Sequence, residues 1–308
     1  MKKKLDEAAW RDLQYDERTY TKYQAKRNMD KDIVIPDTYR FIGNEAFMGN
    51  ERINSVTLPR GCIVIGKSAF EGCCFQKEVK YPNTLLWIRQ RAFSRNNRLR
   101  RVHIPPSVAK IDKNVYKECK KLYRAEFARG SKCRAIPEGM FDCCGRLSQV
   151  VLPDEIQLIG RRAFYRCKEL QELHFPQSLK IIDSEAFYFT GIQKLILPNQ
   201  LRELGEAAFF KCNNLTEVSI PSSVKKIGKW VFHGCNRLKV VEILHDPIFI
   251  GEWIINRSAT IRCRKGSAVE EYGKEYGFKM EFIYDSHNDT AVLKMKGEEY
   301  EGEKERSI

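Results

Sequence analysis

The side chains in this sequence with the most chemical potential are its eleven cysteines. A thiolate is both a nucleophile and a zinc ligand, and zinc sites built from cysteine usually contain Cys-x-x-Cys pairs. The sequence contains no such pair. The cysteine spacing therefore gives no support to a zinc ribbon, and reactive single thiols remain as the chemistry to be tested.

Histidine is the other candidate for acid–base chemistry, and the five histidines are scattered. His103 is expected to face Glu126 on a neighbouring strand, an arrangement that can orient a general base. No nucleophile accompanies that pair, and His174 lies about 14 Å from His103, too far for a shared metal. Neither the G-x-x-x-x-G-K-[ST] nor the G-x-G-x-x-G motif for binding phosphates occurs. We therefore predict a protein that is not an enzyme, with no catalytic, metal-binding or cofactor-binding residues.

The elements that must position these residues repeat along the chain. An aromatic preceded by a small or aliphatic residue recurs every 22–25 residues, at Phe47, Phe70, Phe93, Tyr116, Phe141, Phe164, Phe187, Phe209 and Phe232. A fixed period of 20–50 residues indicates a solenoid. Proline usually stands eleven residues before the aromatic, after alternating apolar and polar residues that are typical of a short strand. Stacked units predict a parallel sheet with a spine of aromatic rings behind it.

Most of the cysteines fall into core columns of this repeat. Six stand three residues after the aromatic, and Cys62 and Cys133 stand eight residues before it, where other units carry aliphatic residues. We predict that these eight are buried, as small hydrophobes. Disulfides between stacked units are not expected, because their Cβ atoms would lie about 4.8 Å apart, beyond the usual 3.5–4.5 Å. Cys74, Cys143 and Cys263 remain candidates for reactive thiols.

Glycine often stands four residues before the aromatic, at Gly43, Gly66, Gly160, Gly205 and Gly228. We interpret it as the residue of a tight turn that requires positive φ.

The repeat resembles a known family. The segment Ile220–Cys235, IPSSVKKIGKWVFHGC, is similar to the BspA-like leucine-rich repeats of bacteria. The resemblance implies an α/β, β-rich fold, a right-handed leucine-rich repeat solenoid. Its parallel sheet would form the concave face and its short helical or 3₁₀ turns the convex face.

Four segments are expected along the chain. Residues 1–32 are predicted to form a charged helical cap with Trp10 and Leu13 on one face. Residues 33–263 would form the array, with nine regular units, one degraded unit and a local bulge or kink near Gly130. The resemblance implies a helix and strand cap over 264–284, and the composition of 285–308 predicts a disordered tail.

The chain is strongly basic, with a formal net charge of +14 and an isoelectric point near 9.2. Residues 33–284 carry 41 Lys or Arg and 26 Asp or Glu, so the basic character belongs to the array. The N-terminus lacks the apolar segment of a signal peptide, and no run of 18 apolar residues occurs. These features predict a cytoplasmic protein, whereas the resemblance leaves a secreted or surface-associated protein as the alternative.

The residues that alternate with the core columns would face outward from the concave sheet, where they are free to contact a partner. The candidate partner-binding residues are Lys80, Arg100, Arg101, His103, Tyr123, Arg124, Glu126 and His174. The favoured function is a non-catalytic scaffold that binds a protein partner, an acidic one if the basic residues dominate. The alternatives are binding of nucleic acid or another polyanion by the basic array, a thiol-dependent activity, and, by resemblance, adhesion at the cell surface.

Overall fold

Each repeat unit forms one coil of a solenoid in the computed structural model of the chain, which describes residues 16–73 and 77–284. The candidate thiol Cys74 and the residues Trp10 and Leu13 of the expected helical cap lie outside the described residues, as does the tail 285–308. A typical coil contributes two short strands, and each strand pairs in parallel with the equivalent strand of the next coil.

The described residues contain two helices, α1 (Lys22–Arg27) and α2 (Ala268–Glu275). The strands, in chain order, are β1 (Thr19–Tyr20), β2 (Asp32–Val34), β3 (Phe41–Ile42), β4 (Ser55–Thr57), β5 (Val64–Ile65), β6 (Glu78–Val79), β7 (Trp87–Ile88), β8 (Arg101–Ile104), β9 (Lys110–Ile111), β10 (Arg124–Phe127), β11 (Ala135–Ile136), β12 (Gln149–Val151), β13 (Leu158–Ile159), β14 (Ile181–Ile182), β15 (Glu203–Leu204), β16 (Glu217–Ile220), β17 (Lys226–Ile227), β18 (Val240–Ile243), β19 (Phe249–Ile250), β20 (Thr260–Arg264) and β21 (Lys279–Ile283).

The strands that the alternating pattern predicted form the concave sheet, in three ladders. Their orders are β2-β4, β12-β10-β8-β6 and β16-β18-β20-β21. Residues 171–175 and 193–197 occupy the equivalent places in the two coils between β12 and β16, and they are not part of a strand. The middle of the concave face is therefore less regular than its two ends.

A second parallel sheet, which the sequence did not predict, is built from the two-residue strands. Its ladders are β1-β3-β5-β7-β9 and β11-β13-β14-β15-β17-β19. The break between β9 and β11 coincides with the 25-residue unit around Gly130, where a bulge or kink is expected from the sequence. A strand of two residues shows no alternation, so periodicity does not reveal it.

The core of the solenoid contains a column of stacked rings. Ten consecutive rings, from Tyr20 to Phe232, stack with centroids 5.1–5.9 Å apart and planes within 22° of parallel. The nine repeat aromatics form the predicted spine, and Tyr20 extends it by one coil toward the N-terminus. The ring spacing follows from the separation of parallel strands, about 4.8 Å.

The convex segments that carry these aromatics are successive turns, because two positions of most coils have positive φ. The positions lie two residues before and two residues after the aromatic, for example Glu45 (φ 54°) and Gly49 (φ 70°) around Phe47. A left-handed residue ends a right-handed helix. The backbone N–H groups of Phe47 and Gly49 instead donate to Ala69 and Glu71 of the next coil, both at 2.7 Å.

The interpretation of the glycines four residues before the aromatic was wrong. None of them has positive φ. A Cβ at Gly66 would lie 2.6 Å from the carbonyl carbon of Gly43, and one at Gly205 would lie 2.4 Å from the backbone nitrogen of Ser184. At Gly66 and Gly205, glycine is required because adjacent coils approach too closely for a side chain.

The parallel pairing between coils continues into both ends of the described chain. At the N-terminal end, β1 pairs with β3, so the parallel ladder reaches back to Thr19. At the C-terminal end, the Ser267 side chain accepts a hydrogen bond from the Glu270 N–H at the start of α2, and β21 then pairs with β20.

Candidate functional site

The repeated cysteine column is buried and makes one recurring contact. In Cys73, Cys119, Cys144, Cys167, Cys212 and Cys235 the Sγ donates to the carbonyl oxygen of the aromatic residue in the preceding coil, at 2.9–3.2 Å. Asn96 occupies the same column, and its side-chain nitrogen donates to the carbonyl oxygen of Phe70 at 2.8 Å. This column therefore favours a small side chain that can donate a hydrogen bond. The sequence analysis treated these cysteines only as small hydrophobic residues and did not predict that bond.

Burial makes three of the column thiols, Cys119, Cys144 and Cys167, poor nucleophiles. It raises the pKa of Cys119 to about 12 and the pKa values of Cys144 and Cys167 well above the usual range. Nucleophilic attack needs the thiolate, so a buried neutral thiol is chemically inert.

The two described candidates for reactive thiols do not fit that role either. Cys263 is fully buried in the core, and burial raises the pKa of its thiol, so its candidacy was wrong. Cys143 is half-buried, and burial together with the Asp142 carboxylate raises the pKa of its thiol to about 11. Neither environment favours a thiolate at neutral pH.

The predicted cross-strand pair of His103 and Glu126 is present. The two residues are partners in the register of β8 and β10, and His103 Nδ1 lies 3.9 Å from Glu126 Oε2. Glu126 also accepts a hydrogen bond from Arg124, which lowers the pKa of the carboxyl group. The Glu126 carboxylate is thus shared between His103 and Arg124 at the surface. Within residues 16–73 and 77–284, no group of three or more potential metal-ligating residues occurs.

The concave charges around this pair largely neutralise one another. Arg101 Nε lies 3.8 Å from Glu78 Oε2, and Arg124 donates to both Glu126 and Gln149. Lys80 directly follows β6 and is exposed. This side of the face therefore presents alternating charges, more mixed than the basic patch expected from the sequence.

Two of the predicted partner residues lie at the edge of the concave sheet, where the chain enters the strands. Arg100 and Tyr123 stand just before β8 and β10, and both line a recess of about 470 Å³ together with Lys121, Arg146 and Glu169. The structure thus divides the predicted set into six residues on or beside the concave sheet and two at its edge.

The centre of the concave face carries two exposed aliphatic residues, which the sequence analysis did not single out. Val151, His174 and Ile196 occupy the same outward position in three consecutive coils, and His174 is exposed. The two aliphatic residues are 50% and 67% exposed, respectively. An aliphatic residue in a column of outward polar residues is a signal that the sequence did contain.

The other side of this centre is again a network of paired charges. Ser219 donates to Glu242 at 2.9 Å, and Arg262 contacts Glu242 at 3.4 Å and Glu281 at 3.1 Å. A shallow recess there is lined by Ile196 and the side chains of this network. The concave face therefore has two exposed aliphatic residues near its centre, between two regions that contain ion pairs.

None of the helices in the part of the chain that the structure describes has the length and apolar character needed to cross a bilayer.

Comparison with known proteins agrees with this architecture. A sequence profile for the BspA type leucine rich repeat region matches in six copies, over residues 22–132 and 134–262. No curated protein matches the chain.

Among solved structures, the chain is similar to a leucine-rich repeat protein from Bacteroides ovatus ATCC 8483. The TM-score is 0.65 at 23% identity, over 83% of this chain and 84% of that one. It is also similar to a leucine-rich repeat protein of T. pallidum, with a TM-score of 0.50 at 26% identity, over 60% of this chain and 86% of that one. These similarities concern the fold, and the profile covers well over half of the sequence. The chain therefore belongs to the BspA-type leucine-rich repeat family.

Proposed function

We propose that this protein is a non-catalytic scaffold that binds a protein partner through its concave face. The observation that carries the proposal is the presence of two exposed aliphatic residues, Val151 and Ile196, near the centre of a face on which several charged side chains form ion pairs. Protein interfaces commonly have such an apolar, desolvated core within a polar rim.

The predicted polar residues supply the rim on one side of this centre. Lys80, Arg101, His103, Arg124 and Glu126 lie on or beside β6, β8 and β10, and His174 lies between the two aliphatic residues. Rim charges mainly set association rate and specificity, whereas buried apolar anchors carry more of the affinity. Complete burial of one aliphatic side chain is worth about 1.5–3 kcal/mol.

The test is capture of partners from the native organism by three forms of the protein. Ile196→Asp should abolish the band that the unchanged protein captures, because the aspartate would be desolvated without a partner. Ile248→Asp is the matched control, since Ile248 is 82% exposed but lies between β18 and β19, away from the concave strands.

An unchanged band with Ile196→Asp, or an equal loss with Ile248→Asp, would contradict the proposal. Reversal of Arg101 and Arg124 to Glu should slow association with an acidic partner and weaken its salt dependence. The cytoplasmic location stays a prediction, which cell fractionation would test.

A further inference from the structure

Five exposed cations form a continuous track along the edge where the chain enters the concave strands. The basic track consists of Lys77, Arg98, Arg100, Lys121 and Arg146, which come from four consecutive coils. Two adjoining recesses join these residues, and Arg100 and Lys121 line both.

The basic track differs from the arginines of the concave sheet because its charges are not neutralised. On the sheet, Arg101 and Arg124 each have a carboxylate partner. Among the residues that the structure describes, none of the five track cations takes part in a salt bridge. The acidic residue of the lining is Glu169, at the far end of one recess. Unpaired cations in neighbouring coils repel one another, so an anionic ligand that lies along them would relieve that repulsion.

The backbone at this edge has little capacity to bind a peptide. The carbonyl oxygen of Lys77 accepts from the N–H groups of Arg100 and Arg101, and that of Arg100 accepts from Tyr123 and Arg124. Addition of a peptide strand needs free backbone groups. These groups are already used between coils, so the track must recognise its ligand by side-chain charge.

The shape and composition of the track favour an extended phosphate polymer. Four coils at about 4.8 Å span roughly 15 Å, and the track is only two side chains wide. A duplex would present two phosphate rows across a groove about 6 or 12 Å wide. Three of the five cations are arginines, whose planar guanidinium groups bind phosphate through two hydrogen bonds. Tyr123 is half-buried in the same recess, and an aromatic ring beside a cationic groove is typical of sites for unpaired bases.

We propose that the basic track binds the phosphodiester backbone of single-stranded nucleic acid, independently of the partner surface on the concave sheet. Binding is sequence-tolerant, since it depends on charge and on one stacking ring. With five phosphate contacts, the affinity should fall about 100-fold between 50 and 200 mM salt, from a slope near −0.7 per contact.

The experiment is a fluorescence anisotropy titration of the full chain with a labelled oligothymidine of about 20 nucleotides, at about 50 and 200 mM salt. The triple variant Arg98→Gln, Arg100→Gln, Lys121→Gln should bind more weakly at low salt and lose about 2 from the slope. The control triple variant Arg202→Gln, Arg237→Gln, Lys239→Gln removes the same charge from exposed residues. Arg237 and Lys239 stand at the same coil positions as Arg98 and Arg100, further along the solenoid, so the control should retain the original slope.

Three results would overturn the proposal. The first is no binding of the oligothymidine at low salt. The second is an equal loss in the two triple variants, which would mean that only net charge matters. The third is competition by polyglutamate at the same phosphate-equivalent concentration, which would assign the track to acidic proteins. A circular dichroism spectrum unchanged in both variants shows that exposed substitutions have left the fold intact.

Discussion

The cysteine column predicts a specific loss of stability at alkaline pH. Cys119 is fully buried, and its Sγ donates to the Phe93 carbonyl oxygen at 3.2 Å. Asparagine is the natural alternative in this column, since Asn96 makes the equivalent bond one coil earlier. The substitution Cys119→Asn therefore keeps a donor of similar size and removes the thiol that ionises.

The size of the effect follows from the shift in the pKa of the thiol. Burial raises the pKa of Cys119 from 9.0 to about 12 in the folded protein. Below about pH 9 the thiol is protonated in both states and its stabilising contribution is complete. Above that pH the unfolded chain releases the proton and the folded chain does not, so stability falls by about 1.4 kcal/mol per pH unit. At pH 10.5 the loss that is due to this thiol is about 2 kcal/mol.

The assay is urea unfolding under reducing conditions at about pH 8 and pH 10.5, for the original chain and for Cys119→Asn. Other titrating groups are common to both chains and cancel in the comparison. The original chain should lose about 2 kcal/mol more than the variant between the two pH values. The reverse substitution, Asn96→Cys, should add a similar loss. Equal pH dependence in all three chains would refute the argument that this column holds neutral thiols.

Two further substitutions test the backbone argument. Gly228→Ala should destabilise the protein by about 1–3 kcal/mol, because its Cβ would lie 2.6 Å from the backbone nitrogen of Glu206, whereas a Cβ at Gly145 meets no atom within 4 Å. A thermal midpoint for Gly145→Ala as low as that for Gly228→Ala would contradict this. Ala207 has a φ of 53°, whereas its neighbour Ala208 does not have positive φ. Because glycine adopts positive φ without steric cost, Ala207→Gly should raise the stability by about 0.5–1 kcal/mol. Ala208→Gly should instead lower the stability by about 1–2 kcal/mol, because it removes a buried methyl group and adds backbone freedom. Equal effects in urea unfolding would show that the left-handed backbone at Ala207 carries no cost.

The aromatic spine and the burial of most cysteines could be predicted from the sequence because both follow from the repeat. Once a ring such as Phe164 is taken as the origin of each unit, residues at fixed offsets must share an environment. Cys167 stands three residues after Phe164 and belongs to the same column as Cys144, and both cysteines are fully buried. Packing in a solenoid repeats with the sequence, so one column needs only one explanation.

The second sheet and the reason for the repeated glycines could not be predicted in the same way. Two-residue strands such as β14 (Ile181–Ile182) give no alternation to detect. The glycine at 228 and the positive φ at Trp230 lie only two residues apart, and the sequence does not say which of them needs the left-handed region. The distance between adjacent coils decides that, and it is a property of the stacked structure.

The candidate site was only partly accessible from the sequence. The register of His103 with Glu126 follows from the repeat, and the outward column already contained Val151 and Ile196. The sequence did not show which basic residues form ion pairs on the concave sheet and which line the recess at its edge, because that depends on the side chains around each of them. Arg101 is paired with Glu78, whereas its neighbour Arg100 lines the recess at the edge.

The most direct test of the scaffold proposal is site-specific photocrosslinking in the native organism. A photoreactive phenylalanine analogue would replace Ile196 on the concave face, or Ile248 away from it, and both positions are exposed. The account predicts a discrete crosslinked protein from the Ile196 position and none from the Ile248 position. The same products from both positions, or products from Ile248 alone, would contradict it.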